Sequence, residues 1–306
     1  MSSKLLYSQR PSKYIERLVL VEMLRHLDPN VAALKSYRYV GFGGLEFADF
    51  ELFHRSLGIE KMISIEKSLD DIERYEFNRP FQGIEVLQGP AKDHLPGLGW
   101  EGLNIVWLDY TSHLSTEVVG DCSTLLRELI PGSVLLVTVN ASGGSVCERR
   151  ENLETNLEPK WIPNISDLEL GDRWGVARVQ RQILVERLIT VANSRADSVR
   201  IRQFANFCYK DGLRMQTMGW IVGGGSMDAS IEKCQIQQHQ FASVSEETVV
   251  IELPVLTRRE IVFLNKQLPV TDPAGLEAPW LPEQNLIQYT KLYRYYPSEL
   301  AISALA

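Results

Sequence analysis

Apolar positions along this chain recur in two alternating rhythms, and the alternation predicts its architecture. Between Lys13 and Leu27, the residues Ile15, Leu18, Met23 and Leu27 fall close to helical spacing, and Pro29 follows as a stop signal. Tyr37 to Val40 is a short β-prone run that breaks into Gly41-Phe-Gly-Gly44. Helical spacing returns through Phe47, Phe50, Leu52, Phe53 and Leu57 and closes at Gly58. Met62 to Ile65 predicts a second strand, and Ser68-Leu-Asp-Asp71 a capping box at the start of the next helix.

Ile84 to Leu87 and Asn104 to Leu108 predict the third and fourth strands, and the fourth is nearly all apolar. Continuous rather than alternating hydrophobicity fits parallel strands covered on both faces. Val118, Val119, Cys122, Leu125, Leu126 and Leu129 form a helical apolar face; Pro131-Gly132 ends it, and Ser133 to Val139 predicts a fifth strand. Strand and helix thus alternate five times in about a hundred residues, the pattern of an open parallel α/β sheet with right-handed crossovers.

The rhythm is lost over residues 142–175, which are expected to form an insertion or lid, and it returns as a helix over Val176 to Asn193. Gln203 to Tyr209, Asp211-Gly212 and Arg214 to Val222 predict a hairpin with a tight type I′ turn. A strand at Thr248 to Leu253, a capped helix at Thr257-Arg-Arg-Glu260 and an aromatic tail of Tyr289, Tyr293, Tyr295 and Tyr296 follow; the tail is expected to dock on the domain. The expected division is an N-terminal helical segment (1–36), a core (37–225) carrying the insertion, and a C-terminal extension (226–306) packed on the core.

Composition narrows the class. The chain has 306 residues, 44% of them hydrophobic and 23% charged, the balance of a globular protein with a sizeable core. No apolar run reaches the ~20 residues of a membrane span, and the first residues lack a secretory signal, so a cytoplasmic protein is expected. Cys122, Cys147, Cys208 and Cys234 contain no C-x-x-C pair; they read as reduced, mostly buried thiols rather than disulfide or metal ligands. A net charge of −7 argues against wholesale coating of nucleic acid. A local exception is the run from Arg173 to Arg202, where Arg173, Arg178, Arg181, Arg187, Arg195, Arg200 and Arg202 face only Glu186 and Asp197. That run would suit an anionic partner or, more blandly, a solvated face with internal ion pairs.

The chemistry concentrates where the first predicted strand meets its helix. Glycines at 41, 43 and 44 let backbone approach a ligand closely. A dinucleotide fingerprint would place its third glycine where this chain has Glu46, whose carboxylate would oppose a pyrophosphate. Glu66 closes the second strand about twenty residues beyond the glycines, where an acid faces the ribose of a bound nucleoside. Gly89-Pro90-Ala91 follows the third strand, and Asp109-Tyr110 follows the fourth. His54, inside an apolar helix pattern, is expected to be packed in the core, and His113 is a secondary candidate.

With these residues in view, the chain resembles the class I S-adenosylmethionine (SAM)-dependent methyltransferase superfamily and, more narrowly, a bacterial O-methyltransferase family. The narrower resemblance rests on Tyr39-Val-Gly-Phe-Gly-Gly, Phe47-Ala-Asp49-Phe with Leu52-Phe53-His54, Met62-Ile-Ser-Ile-Glu66, Phe77-Asn-Arg-Pro80 and Arg10-Pro-Ser-Lys13. It implies a Rossmann-like, mainly parallel seven-stranded sheet ending in an antiparallel hairpin. It also implies a SAM site in which Gly41, Phe42, Gly43 and Gly44 line the methionine part, Glu66 the ribose, and Pro90 and Ala91 the adenine. Asp109 and Tyr110 would stand beside the methyl-transfer centre, as the candidate catalytic residues, and no metal is implied. One departure stands out: the superfamily often has an acid two residues before the first glycine, where this chain has Tyr39. Asp49 or Glu46 would then supply the carboxylate, or cofactor binding would be weakened or lost.

The expected activity is methyl transfer to an unidentified acceptor. The competing reading is a noncatalytic interaction or regulatory subunit on the same sheet, with a bacterial defence or mobile-element system as its setting. A nicotinamide oxidoreductase is disfavoured by Glu46. An oligomer is left open.

Overall fold

The computed structural model describes residues 10–68, 71–272 and 275–296. An eight-stranded sheet, in the order β3-β2-β1-β4-β5-β7-β6-β8, forms its centre. The five predicted parallel strands are all present: β1 (Arg38–Gly41), β2 (Lys61–Glu66), β3 (Ile84–Gln88), β4 (Asn104–Asp109) and β5 (Val134–Asn140). Every residue of β5 is buried, as continuous hydrophobicity requires of a strand covered on both faces. β6 (Arg200–Asp211) and β7 (Leu213–Gly223) form the hairpin, and β7 is antiparallel to both β5 and β6.

Three expectations need correction. The sheet has eight strands rather than seven, because β8 (Val249–Ile251) pairs parallel with the outer edge of β6. Its apolar run was legible, but its partner lies about forty residues away and nothing local declares it. The hairpin turn is not type I′: that turn needs positive φ at both central residues, and only Gly212 has it (φ 83°). Among the described residues Ser68 caps no amide; its Oγ lies 3.3 Å from Asp71 Oδ2, and Asp71 precedes α3 (Ile72–Asn78) without a side-chain cap. Leu69 and Asp70 lie outside the described residues.

The helices cover both faces. On one side, α1 (Pro11–Arg25) and α2 (Ala48–Leu57) bury Ile15, Leu20, Met23, Phe50 and Phe53 against Tyr39, Trp107 and Phe207. On the other, α4 (Ala91–His94), α5 (Thr116–Glu128) and α8 (Gly175–Ser194) bury Ala91, Leu125, Ile183 and Leu188 against Val106, Leu108 and Val137. The segment 142–175 is ordered rather than irregular. It holds α6 (Val146–Asn156) and α7 (Asp167–Gly171), each opened by a capping box, Ser145 with Glu148 and Ser166 with Glu169. After α9 (Met227–Lys233), α10 (Arg258–Asn265) and α11 (Glu283–Leu292) build a small core of their own around Leu264, Leu276, Leu286 and Tyr289. In the aromatic tail Tyr295 is buried, and its hydroxyl donates to Glu22 of α1.

Cys122, Cys208 and Cys234 are buried free thiols, while Cys147 is exposed. No helix among the described residues is long and apolar enough to cross a membrane. No group of His, Cys, Asp or Glu among them is arranged to hold a metal.

Candidate nucleoside site

The carboxyl ends of β1, β2, β3 and β4 bring most of the predicted site residues to one rim. β1 ends at Gly41, and the turn Phe42-Gly43-Gly44 leads into α2. Two close contacts give the turn its shape. A Cβ on Gly43 would lie 2.5 Å from the Phe47 ring and 2.7 Å from Ser64 Oγ. Gly44 has φ 58°, a conformation glycine adopts without steric cost.

The amides of this turn point inward. Gly43 N–H donates to Ser64 Oγ at 2.9 Å, Ser64 donates to Glu66 Oε1 at 2.6 Å, and Gly44 N–H donates to the same oxygen at 3.0 Å. Glu66 therefore fastens the glycine turn to the end of β2, and it is buried. Burial raises the Glu66 pKa, opposed in part by the hydrogen bonds from Ser64 and the turn amides. Gly89 N–H donates to the Glu66 carbonyl at 2.9 Å, which draws the β3 turn to the same place. Beyond it, Pro90 and the buried Ala91 open α4.

Phe42 and Tyr110 meet edge to face with ring centroids 5.2 Å apart. Tyr110 donates to Asp121 of α5 at 2.6 Å, and burial raises its pKa, with Cys122 and Asp121 adding to the effect. Asp109, at the end of β4, is paired with Lys13: Nζ lies 3.0 Å from Oδ1.

Asp49 stands behind the start of the turn. Its buried carboxylate accepts the Tyr39 hydroxyl hydrogen, and that hydroxyl oxygen would lie 2.6 Å from a Cβ on Gly41. Here the structure adds residues that sequence reasoning missed. Lys13, Glu16 and Arg17 are all buried on α1. Lys13 pairs with Glu16 at 3.0 Å as well as with Asp109, and its ammonium lies 4.6 Å from the Trp107 ring centroid. Burial opposes ionisation of Arg17, yet the charges of Asp49, Asp109, Glu16 and Tyr209 outweigh it and raise its pKa. Burial raises the pKa of Glu16, against the pull of Lys13, and that of Asp49, against the pull of Arg17. The motif Arg10-Pro-Ser-Lys13 was the available signal.

The secondary candidates are structural. His54 Nδ1 is 2.8 Å from the Ile59 carbonyl, and its ring packs 3.9 Å from that of Phe81. His113 Nε2 is 2.8 Å from the Ser142 carbonyl. Two cavities lie off the rim: one of about 430 Å³ is lined by Glu22, His26, His239 and Tyr295 among others, and one of about 580 Å³ by residues 167–172 with Arg178.

A strand order of 3-2-1-4-5-7-6 with the seventh strand reversed, closed at β2 by an acid tied to a glycine turn, defines a Rossmann-like sheet of the class I methyltransferase type. The chain belongs to the family described as "Putative O-methyltransferase", whose model matches residues 5–303. Among solved structures, similar ones include Trm1 of Pyrococcus horikoshii in complex with S-adenosyl-L-methionine. It shows 15% identity over 73% of this chain and 58% of that one, with a TM-score of 0.47. The spermidine synthase of Thermotoga maritima shows 13% identity over 71% and 62%, TM-score 0.41. The O-methyltransferase TomG of Streptomyces achromogenes, in complex with SAM, shows 16% identity over 73% and 93%, TM-score 0.38. This chain thus spans less than two thirds of the Trm1 chain. No curated protein matches the sequence.

Proposed function

We propose that the protein is a SAM-dependent methyltransferase whose cofactor lies across the rim formed by Gly41 to Gly44, Glu66, Pro90-Ala91 and Tyr110. The observation that carries this reading is the direction of the turn amides. Dinucleotide sites aim such amides at a pyrophosphate. Here Gly43 and Gly44 direct theirs to Ser64 and Glu66, so these amides are not offered to a phosphate. A cofactor whose ribose meets Glu66 and which carries no pyrophosphate fits that arrangement, and one with two phosphates does not.

When bound, SAM supplies a methyl group already activated on a sulfonium. What the chain's own residues do is bind, orient and shield. Glu66 accepts hydrogen bonds from the ribose hydroxyls while keeping its hold on the turn. Pro90 and Ala91 border the adenine, and Phe42 with Tyr110 forms an apolar wall beside the transfer centre. Tyr110 is committed to Asp121 and Asp109 to Lys13, so rate acceleration rests on alignment of acceptor and methyl rather than on a strong base from this pair.

The noncatalytic reading draws on one observation: Asp109 is tied to the buried Lys13 of α1, and the charge of the buried Arg17 of the same helix also acts on it. The anionic-partner reading of the arginine run has less support. Arg173, Arg178, Arg195, Arg200 and Arg202 each pair with an acid of this chain. Arg181 donates to Gln203, and Arg187 lies over Trp161.

Calorimetric titration with SAM, S-adenosylhomocysteine and NAD tests the proposal. Binding of the two adenosyl compounds but not NAD, weakened in Glu66→Ala, is the expected result. NAD binding alone would sink it, and binding of none of the three would favour the noncatalytic subunit.

A further inference from the structure

Resting on the cofactor reading above, we infer that Ser64 is a positioning residue for Glu66: it commits one carboxylate oxygen to the glycine turn and leaves the other for the ribose. The middle of a parallel strand covered on both faces calls for apolar side chains. β2 obeys at Met62, Ile63 and Ile65 but carries a fully buried serine at 64. A buried hydroxyl is costly unless it is hydrogen-bonded, and this one is used twice.

Sheet geometry sets up both bonds. Side chains two apart on a strand share a face, so Ser64 and Glu66 point the same way. In the β1–β2 pairing Ser64 stands beside Gly41, the residue at which the glycine turn begins. Ser64 Oγ accepts from Gly43 N–H at 2.9 Å and donates to Glu66 Oε1 at 2.6 Å. Gly44 N–H reaches the same carboxylate oxygen at 3.0 Å. With two donors already on Oε1, the sugar hydroxyls are left with Oε2.

Ser64 also acts on the charge of Glu66. Burial favours the neutral acid; the hydrogen bonds from Ser64, then from the amides of Gly44 and Gly43, favour the carboxylate. Two more groups face it among the described residues. The charge of Asp49 on α2 also raises the Glu66 pKa, and Tyr75 on α3 has its own pKa raised by Glu66. Neither is a cation, so the ionised form that accepts from a ribose depends on Ser64 and the turn amides.

The test is calorimetric titration with S-adenosylhomocysteine from about pH 4 to about pH 8, a span that covers a raised carboxyl pKa. Wild-type affinity is expected to fall on the acid side as Glu66 takes up its proton. In Ser64→Ala that fall should begin about one pH unit higher, the equivalent of losing a hydrogen bond to a charged group, with affinity down about tenfold within it. Ser64→Thr, which keeps the hydroxyl, should follow the wild type, and Ser64→Cys, a weak donor, should lie between. Should Ser64→Ala not fold, the Cys and Thr variants carry the same comparison. In a Glu66→Gln background, which has no proton to lose, Ser64→Ala should not move the pH profile. An acid limb that coincides with the wild type, or a loss of equal size at every pH and in the Glu66→Gln background, would show a merely structural serine and overturn the inference. Wild-type protein that does not bind S-adenosylhomocysteine, or binds it without dependence on Glu66, would instead overturn the cofactor reading or its ribose assignment, and this inference with it.

Discussion

The Tyr39 hydroxyl donates to the Asp49 carboxylate beneath α1, and both side chains are buried. A position where related chains often carry an acid thus holds a phenol, and the acid stands ten residues later on α2. The charge of Arg17, buried on α1, pulls the Asp49 pKa down against the burial that raises it. The pair is closed from water, so removing one charge leaves the other buried and uncompensated. Arg17→Met is expected to cost about 3–5 kcal/mol. Adding Asp49→Asn should recover part of the loss, because the two sites share one interaction. Urea unfolding of the wild type, both single variants and the double variant measures the coupling; strictly additive losses would refute it.

Gly43 offers a contrast between folding and binding. A Cβ there meets the Phe47 ring at 2.5 Å and Ser64 Oγ at 2.7 Å, both groups of the protein's own packing. Gly43→Val is therefore expected to overpack the β1–α2 junction, at a cost of about 1–3 kcal/mol or more. Its melting temperature should fall in the absence of any ligand. If that variant melts like the wild type and loses only cofactor affinity, the internal packing described here is wrong.

Much of the sheet was legible because its signals are local. β1 to β5, α2 and α5 each declare themselves through periodicity within a dozen residues, whereas α4, a single turn after β3, left no such signal. The three capping boxes at Ser145, Ser166 and Thr257 carry their partner acids three residues on. Two of them sit in the segment read as irregular, so S-x-x-E was a usable signal there that apolar periodicity alone did not supply. At Ser68 the same kind of pattern misled, since nothing in four residues says whether a helix begins at the right one. The rim acids were found because strand ends locate them. The charges opposite them were not: nothing local in the α1 sequence marks Lys13, Glu16 and Arg17 as buried. Their burial depends on Asp109, 96 residues from Lys13, and Asp211, 198 residues away.

Glu66 should make stability depend on pH in a definite sense. Burial raises its pKa in the folded protein above the ordinary carboxyl value of 4.5. The folded state therefore binds the proton more tightly than the unfolded chain does. The stabilisation is complete below the unfolded pKa and is lost as pH rises through the folded one. Glu66→Gln keeps an acceptor for Gly44 and Ser64 but has no proton to lose. Relative to that variant, wild-type protein is expected to lose stability as pH rises from about 4 toward neutrality. Glu16 and Asp49 shift in the same direction but remain in both proteins, so the difference isolates Glu66. Paired denaturation curves at several pH values read it, and a difference that grows in the opposite sense would contradict the assignment.

Asp211 caps a helix far from it in sequence. α1 begins at Pro11 with no capping side chain of its own, and Asp211 at the β6–β7 hairpin tip accepts from the amides of Ser12 and Lys13. A carboxylate at a helix N-terminus satisfies donors that the helix leaves open and complements its dipole. Asp211→Ala is therefore expected to cost about 0.5–2 kcal/mol, the usual range for a lost N-cap. The loss should be localised: hydrogen exchange at Ser12, Lys13 and the next turn of α1 should accelerate, while amides of β4 and β5 keep their protection. Asp211→Asn, which retains an acceptor oxygen, should lie between the two. Uniform acceleration across the sheet would show instead that the hairpin tip supports the whole domain and that its contact with α1 is incidental.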